Sequence, residues 1–282
     1  MSNAIETIRR EDAEKLVASI GIPPRPTVVL TVMDAKASDD VDMAAVVRAI
    51  ATDVGITAAL IKTVNSPLYG LRRRVESVAE AASMLGINSL ATLVTSLALK
   101  TTLVAGGIER FWDQSARIAL IAAWLAGRYR LARDEAHLFG LFRDAGIPLL
   151  MKRFPDYRDT LRLANTDTEG EFTHVEEARH NLNHAVVGAL LCRNWKLSDT
   201  LHDAVLRHHE LGLFDSDSPA TVKNLVAIGH LASQLESLHT RSRDDEEWMK
   251  IGHAVETWLM ISADDLDELH HEAGSMLLEA GL

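Results

Sequence analysis

The chain has a single cysteine, Cys192, among its 282 residues. One thiol forms neither an internal disulfide nor a cysteine-rich zinc site. Its neighbours Leu190, Leu191 and Trp195 mark it as a buried, inert group. There is no run of roughly 18 or more uncharged apolar residues, so no membrane-spanning helix is expected. The N-terminus Met1-Ser2-Asn3-Ala4-Ile5-Glu6-Thr7-Ile8-Arg9-Arg10 lacks the apolar stretch of a secretion signal. Alternating strand patterns of useful length, internal repeats and low-complexity tracts are all missing. Positive charge is short as well: 29 Lys and Arg face 40 Asp and Glu, for a net charge of -11. Such a chain is repelled by bulk nucleic acid unless basic residues cluster on one face. The only tight cluster is Arg72-Arg73-Arg74. The expectation is a cytoplasmic protein with no membrane partner and a charge balance that weighs against nucleic acid.

What is present is helical periodicity. Val46, Val47, Ile50, Ile56, Leu60, Ile61 and Val64 recur at the spacing of an apolar helix face. Leu85, Leu90, Leu93, Val94, Leu97 and Leu99 do the same, as do Ile118, Ile121, Ala122 and Leu125, and then Leu138, Leu141 and Phe142. The β-branched stretch Val28-Val29-Leu30-Thr31-Val32-Met33 follows prolines and leads into a helical pattern, so it too reads as helix. With hydrophobic residues at 47%, there is material for a sizeable core. The expected fold class is all-α.

Breaks are set by turn chemistry. Pro23-Pro24-Arg25-Pro26 ends a short N-terminal helix, and Asn65-Ser66-Pro67-Leu68-Tyr69-Gly70 closes another. Ala105-Gly106-Gly107 separates two helical groups. A polar loop spans Asn165 to Gly170, Asp215 to Pro219 opens the last section, and Ser262 to Asp265 carries N-cap chemistry before a final helix. The layout expected is a domain over about 15–235, with lobes meeting near 105, and a helical extension over 236–282 packed on it.

One motif carries chemistry: Gly140-Leu141-Phe142-Arg143-Asp144-Ala145-Gly146-Ile147-Pro148. It resembles the His-Asp signature of the HD phosphohydrolase superfamily, with Arg143 at the His position and Pro148 at the Lys position. A guanidinium stays protonated and offers no lone pair to a metal. Further stretches, taken together, resemble the HDOD domain, a bacterial regulatory branch of that superfamily. They are Ile22 to Leu30, Asp53 to Gly70, Val75 to Gly86, Trp112-Asp113-Gln114-Ser115, His184-Ala185-Val186-Val187-Gly188, Trp195-Lys196-Leu197 and His208-His209-Glu210. The resemblance covers roughly residues 15–235 and implies an all-α fold with a signalling or regulatory role.

The resemblance also implies which residues to weigh. The superfamily holds one or two metal ions on His and Asp side chains. Here the first ligand His is Gln114, the second is Arg143, and the last Asp aligns near Ser233; Asp144 remains. The expectation is therefore a non-catalytic protein without a metal or other cofactor, its relic pocket formed by Gln114, Arg143, Asp144, His184, His208 and His209. Asp144 and Arg143, being adjacent, would not face each other on a helix. A residual phosphohydrolase would need a ligand set rebuilt from Asp144, His184, His208 and His209. His180 and His184 share a helix face with Glu176 and Glu177 one turn earlier, but no third and fourth ligand at fixed spacing completes that site. His208 and His209 are expected on different faces, one buried and neutral, the other in solvent; His270-His271 reads as surface. Asn65, Tyr69, Arg72, Arg73 and Arg74 are candidates for a partner surface. The expected partner is a separate signalling protein, because no receiver, kinase or cyclase segment is attached, and a homo-oligomer is left open.

Overall fold

The computed structural model describes residues 19–71, 73–103 and 108–281. Arg72, the Ala105-Gly106-Gly107 break and most of the helix expected before Pro23 lie outside the described residues. Among the described residues every regular element is a helix, so the all-α expectation holds. The helices are α1 (Thr27–Lys36), α2 (Met43–Ala51), α3 (Val54–Val64), α4 (Val78–Thr102), α5 (Glu109–Arg128), α6 (Arg133–Phe142) and α7 (Gly146–Arg153). They continue as α8 (Tyr157–Thr166), α9 (Phe172–His180), α10 (His184–Asn194), α11 (Asp199–Arg207), α12 (Ala220–Arg241), α13 (Trp248–Leu259) and α14 (Ala263–Glu279). The β-branched run after Pro26 is helix, as its context indicated.

Helix starts follow the side chains that can accept from free backbone N–H groups. Asp42, Asp53, Ser77, Asn183 and Ser198 each accept from a backbone N–H in the first turn of the helix they precede. Ser262 and Asp265 form a reciprocal capping box at the start of α14.

Helices α1, α2 and α3 pack around α4 to form an N-terminal lobe. By length and composition α4 would reach across a membrane, but Gly86 breaks it with φ 69° and ψ 171°, and its Leu90, Val94 and Leu99 lie in the core. Only glycine adopts that backbone geometry readily. Helix α4 also touches α6, joining the lobes. A second seam runs through Trp195, whose indole N–H donates to the Pro23 carbonyl at 3.2 Å while Arg25 donates to the Trp195 carbonyl at 3.2 Å.

In the second lobe α5 and α6 pair closely, and α12 lies against both. Helix α12 is buried along most of its length and also carries α11, α13 and α14. It runs unbroken through residues 235–236, so a boundary there falls inside a helix. Helices α13 and α14 lie against α12.

Candidate functional site

The site is built where α6 stops. The helix ends at Phe142, and Arg143-Asp144-Ala145 form a turn before α7. The sequence expectation that Arg143 and Asp144 diverge assumed a continuing helix; the turn overturns it. Arg143 Nε donates to Asp144 Oδ2 at 3.0 Å, and Arg143 Nη1 donates to the Gly229 carbonyl on α12 at 3.2 Å. The two side chains are 12% and 22% exposed, so this ion pair is largely shielded from water.

The other oxygen of Asp144 faces imidazoles. His184 Nε2 lies 3.4 Å and His208 Nε2 3.5 Å from Asp144 Oδ1. His184 Nε2 is also 3.4 Å from His208 Nε2 and 3.1 Å from His209 Nε2. All four donor atoms lie within 4.8 Å of one another. His184 opens α10, directly after its N-cap Asn183. His208 and His209 follow the end of α11, where the chain turns. Because that helix has stopped, both rings face inward, their centroids 4.1 Å apart and both side chains buried. The expectation that one of the two meets solvent is thus corrected. The set Asp144, His184, His208 and His209, which a residual site would need, is brought together from separate elements, and His180 stays outside it.

Each ring's second nitrogen is already engaged. His184 Nδ1 is 2.8 Å from Glu176 Oε2, His208 Nδ1 is 2.7 Å from the Val205 carbonyl, and His209 Nδ1 is 2.7 Å from Glu247 Oε2. These acceptors hold a proton on every Nδ1, which leaves every Nε2 lone pair directed at the shared centre. With all three rings neutral, three imidazole lone pairs and a carboxylate oxygen converge, an arrangement that calls for a positive charge, whether a metal ion or a proton. A tetrahedral ion bound at the usual metal–nitrogen distance requires donors roughly 3.3–3.4 Å apart. Four of the contacts here, at 3.1–3.5 Å, meet that spacing. Asp144, His184, His208 and His209 therefore fit a divalent transition metal such as zinc, which the superfamily resemblance implies.

The electrostatics agree. Burial alone would lower the His184 pKa, but the Glu176 and Asp144 carboxylates outweigh it and raise the value to about 10. Burial works against ionised Asp144 too, yet Arg143, His184 and His208 hold it well below the usual carboxylate range. His208 and His209 are both depressed, first by burial; the charge of Arg143 adds to this at His208, and that of His184 at both. Without a metal, then, a proton on His184 supplies the positive charge the cluster needs.

The remaining positions read differently. Gln114 donates to Glu236 at 3.2 Å, beside Arg117, whose Nε reaches the same carboxylate at 2.9 Å. Ser233 Oγ donates to the Gly229 carbonyl at 3.1 Å. Gln114, Ser233 and Arg143 are thus each engaged in hydrogen bonds to groups on α12. Glu176 is fully buried and receives the Tyr157 hydroxyl as well as His184, so it supports a ligand and is not one itself. Glu177 accepts from Asn183, and His180 is stacked on Phe154 with Thr160 at 2.8 Å.

Phe172 covers the cluster, stacked on His209 and edge-on to His184. Sequence reasoning missed Tyr157, Glu247 and the Val205 carbonyl. The one available signal was Asn181-Leu182-Asn183: a left-handed Asn181 at φ 53° ends α9 and Asn183 caps α10, which returns His184 to Glu176.

Gly146 sets the distance between α7 and α10. A Cβ there would sit 2.1 Å from the His184 carbonyl oxygen. Gly146→Ala is expected to cost about 3 kcal/mol, the top of the usual overpacking range, because backbone rather than a flexible side chain must move. The denaturant midpoint measures this; an unchanged midpoint would show that the seam yields freely.

Asn65 donates to the Ile61 and Val75 carbonyls and accepts from Val75 N–H at 2.8 Å, so its amide pins the turn. Tyr69 is half-buried, and burial, aided by Asp134, raises its phenol pKa. Arg73 and Arg74 are exposed and, with Lys62, Asn65, Ala58, Ile61 and Leu71, line a concavity of about 560 Å³.

An all-helical domain with a histidine–aspartate centre between its helices defines an HD-type protein. The HDOD domain family profile matches residues 22–211, and the chain belongs to that family. A curated relative from Treponema pallidum (strain Nichols), called only an uncharacterized protein, is 28% identical over 209 residues. That match takes in 70% of this chain but 40% of the relative, so the chain spans about two fifths of that protein's length. Among solved structures, an HDOD domain protein with unknown function from Geobacter sulfurreducens superposes with TM-score 0.70 at 23% identity, covering 95% of this chain and 94% of that one. A protein of Shewanella amazonensis SB2B named as a phosphohydrolase reaches TM-score 0.72 at 22% identity, covering 94% and 95%. A protein of Marinobacter aquaeolei VT8 named as a signal transduction protein gives 0.70 at 22% identity, covering 94% of this chain and 60% of that one. At such identity these structures establish the fold.

Proposed function

We propose that this HDOD protein is a non-catalytic regulator that acts by binding, and that, contrary to the expectation of a metal-free relic pocket, its HD centre holds a single divalent transition metal as a fixed element. The observation that carries this reading is the convergence of three Nε2 lone pairs and Asp144 Oδ1, each imidazole locked by an acceptor at Nδ1. Four protein donors fill a tetrahedral shell, whereas catalytic zinc keeps a position open for water. Where a second ion would add charge for phosphoester hydrolysis, Arg143 already neutralises Asp144 and no further ligand is offered by Gln114 or Ser233. A bound metal would supply charge and rigidity here; Glu176, Val205 and Glu247 orient the rings, and Phe172 excludes water from one side.

The binding partner fits the basic concavity beside the Asn65 turn. Lys62, Arg73 and Arg74 suit an acidic segment of a signalling protein, in a chain whose overall charge is -11. Residual phosphodiesterase activity is the second reading, favoured by the intact His/Asp donors. The test is turnover of bis-p-nitrophenyl phosphate with zinc or manganese added. The expected result is no rate above buffer. A rate abolished by Asp144→Ala would replace the regulatory reading with the enzymatic one.

A further inference from the structure

The family match ends at residue 211, yet one of the three imidazoles is held from beyond it. Glu247 stands directly before α13, at the end of a turn pinned at several points. Ser242 leaves α12 with φ 53°, and Ser237 Oγ donates to the Arg243 carbonyl at 2.7 Å. Gln234 Nε2 donates to Asp244 at 2.6 Å and Gln234 Oε1 accepts the Asp245 N–H at 2.8 Å. Glu247 N–H in turn donates to Asp245 Oδ1 at 3.1 Å. The turn thereby delivers the Glu247 carboxylate into a nearly buried position, where Oε2 takes His209 Nδ1 and Oε1 takes Lys250 Nζ at 3.1 Å. Lys250, half-buried with its side chain largely shielded, donates onward to the Gly170 carbonyl at 3.0 Å, tying the first turn of α13 to the loop before Phe172.

We propose that Glu247 is a positioning residue that couples the cation at the histidine cluster to the docking of α13. This inference rests on the reading of Asp144, His184, His208 and His209 as one metal site. The physical argument is linkage. A carboxylate that fixes the tautomer and orientation of a ligand imidazole raises metal affinity, and loss of such a partner typically costs ten- to a hundredfold. The carboxylate is present only while the turn and α13 are seated, so seating strengthens the ion and the ion strengthens seating by the same factor. Metal occupancy at the core of the HDOD domain is thus transmitted to helices that lie beyond it, where a partner can read it.

The experiment uses the full chain and zinc ion alone. Zinc affinity is measured against a chromophoric chelator for the parent, Glu247→Gln and Asp144→Ala. In parallel, hydrogen exchange follows Trp248–Leu259 in the parent with zinc and with chelator, using Val54–Val64 of the N-terminal lobe as reference. The expected results are a ten- to hundredfold weaker affinity in Glu247→Gln and zinc-dependent protection of α13 that exceeds any change in the reference helix. If the parent binds no zinc, the metal-site reading and the coupling fall together. If the parent binds and Asp144→Ala does not, but Glu247→Gln binds as tightly as the parent and α13 protection ignores zinc, the site stands and the coupling is overturned. Should Glu247→Gln fail to fold, the exchange measurement on the parent decides alone.

Discussion

Asp144→Ala and His184→Ala are each expected to weaken zinc binding by about a hundredfold or more. A four-ligand structural zinc site is worth roughly 10–16 kcal/mol at neutral pH, or about 3 kcal/mol per donor, and 1.4 kcal/mol is tenfold. Asp144 Oδ1 sits 3.4 Å from one imidazole nitrogen and 3.5 Å from another, so its loss removes the only anionic donor of the set. His184 is the hub: its Nε2 lies near Asp144, His208 and His209, while its Nδ1 is held by fully buried Glu176. Removing the ring also leaves Glu176 with only the Tyr157 hydroxyl and a backbone N–H. Both variants are to be titrated with zinc beside the parent. Equal affinity in either one would show that these donors do not act together.

Arg143→Ala is expected to destabilise the metal-free protein by about 3 kcal/mol, the lower end of the cost of breaking a buried ion pair. The lower end applies because Asp144 keeps His184, whose pKa is raised to about 10, as a remaining cationic neighbour. The effect on metal runs the other way. The Arg143 charge already disfavours protonated His208 and His230 through space, and it opposes a divalent ion in the same manner. Asp144 freed from the guanidinium also gives its full charge to a metal. Zinc is therefore expected to bind Arg143→Ala about tenfold more tightly and to offset part of its lost stability. Arg143→His should unfold at a midpoint nearer the parent, since imidazole can still bond the acid. The measurement is denaturant unfolding with and without zinc. If the metal-free variant keeps the parent's midpoint, the guanidinium does not balance Asp144.

The helical skeleton was legible because burial imposes its period on the sequence. Of the apolar faces of Val46 to Val64 and of Leu90 to Leu99, Val46, Ile50, Ile56, Leu60, Val64, Leu90, Leu93, Val94 and Leu99 are buried, while Val47, Ile61 and Leu97 are half-buried. The N-cap chemistry read over Ser262 to Asp265 starts α14 with a capping box. The motif around Asp144 was legible for a different reason: a resemblance located it, and Arg143 exposed the missing ligand. The rest of the centre depends on where helices stop. Extending α6 through Arg143 hid the contact with Asp144, and treating His208 and His209 as helical neighbours sent one ring to solvent. Neighbouring residues diverge on a helix but not on the turn that follows one. Glu247 was out of reach altogether. Nothing in its spacing from His209 indicates contact, which arises only because α12 carries the chain back across the domain and Gln234 pins the returning turn.

The metal content of the natively purified full chain tests the central claim most directly. Elemental analysis after extensive dialysis is predicted to find about one transition-metal ion per chain, lost in Asp144→Ala. Metal near zero, with no uptake when zinc is then supplied, would contradict the account.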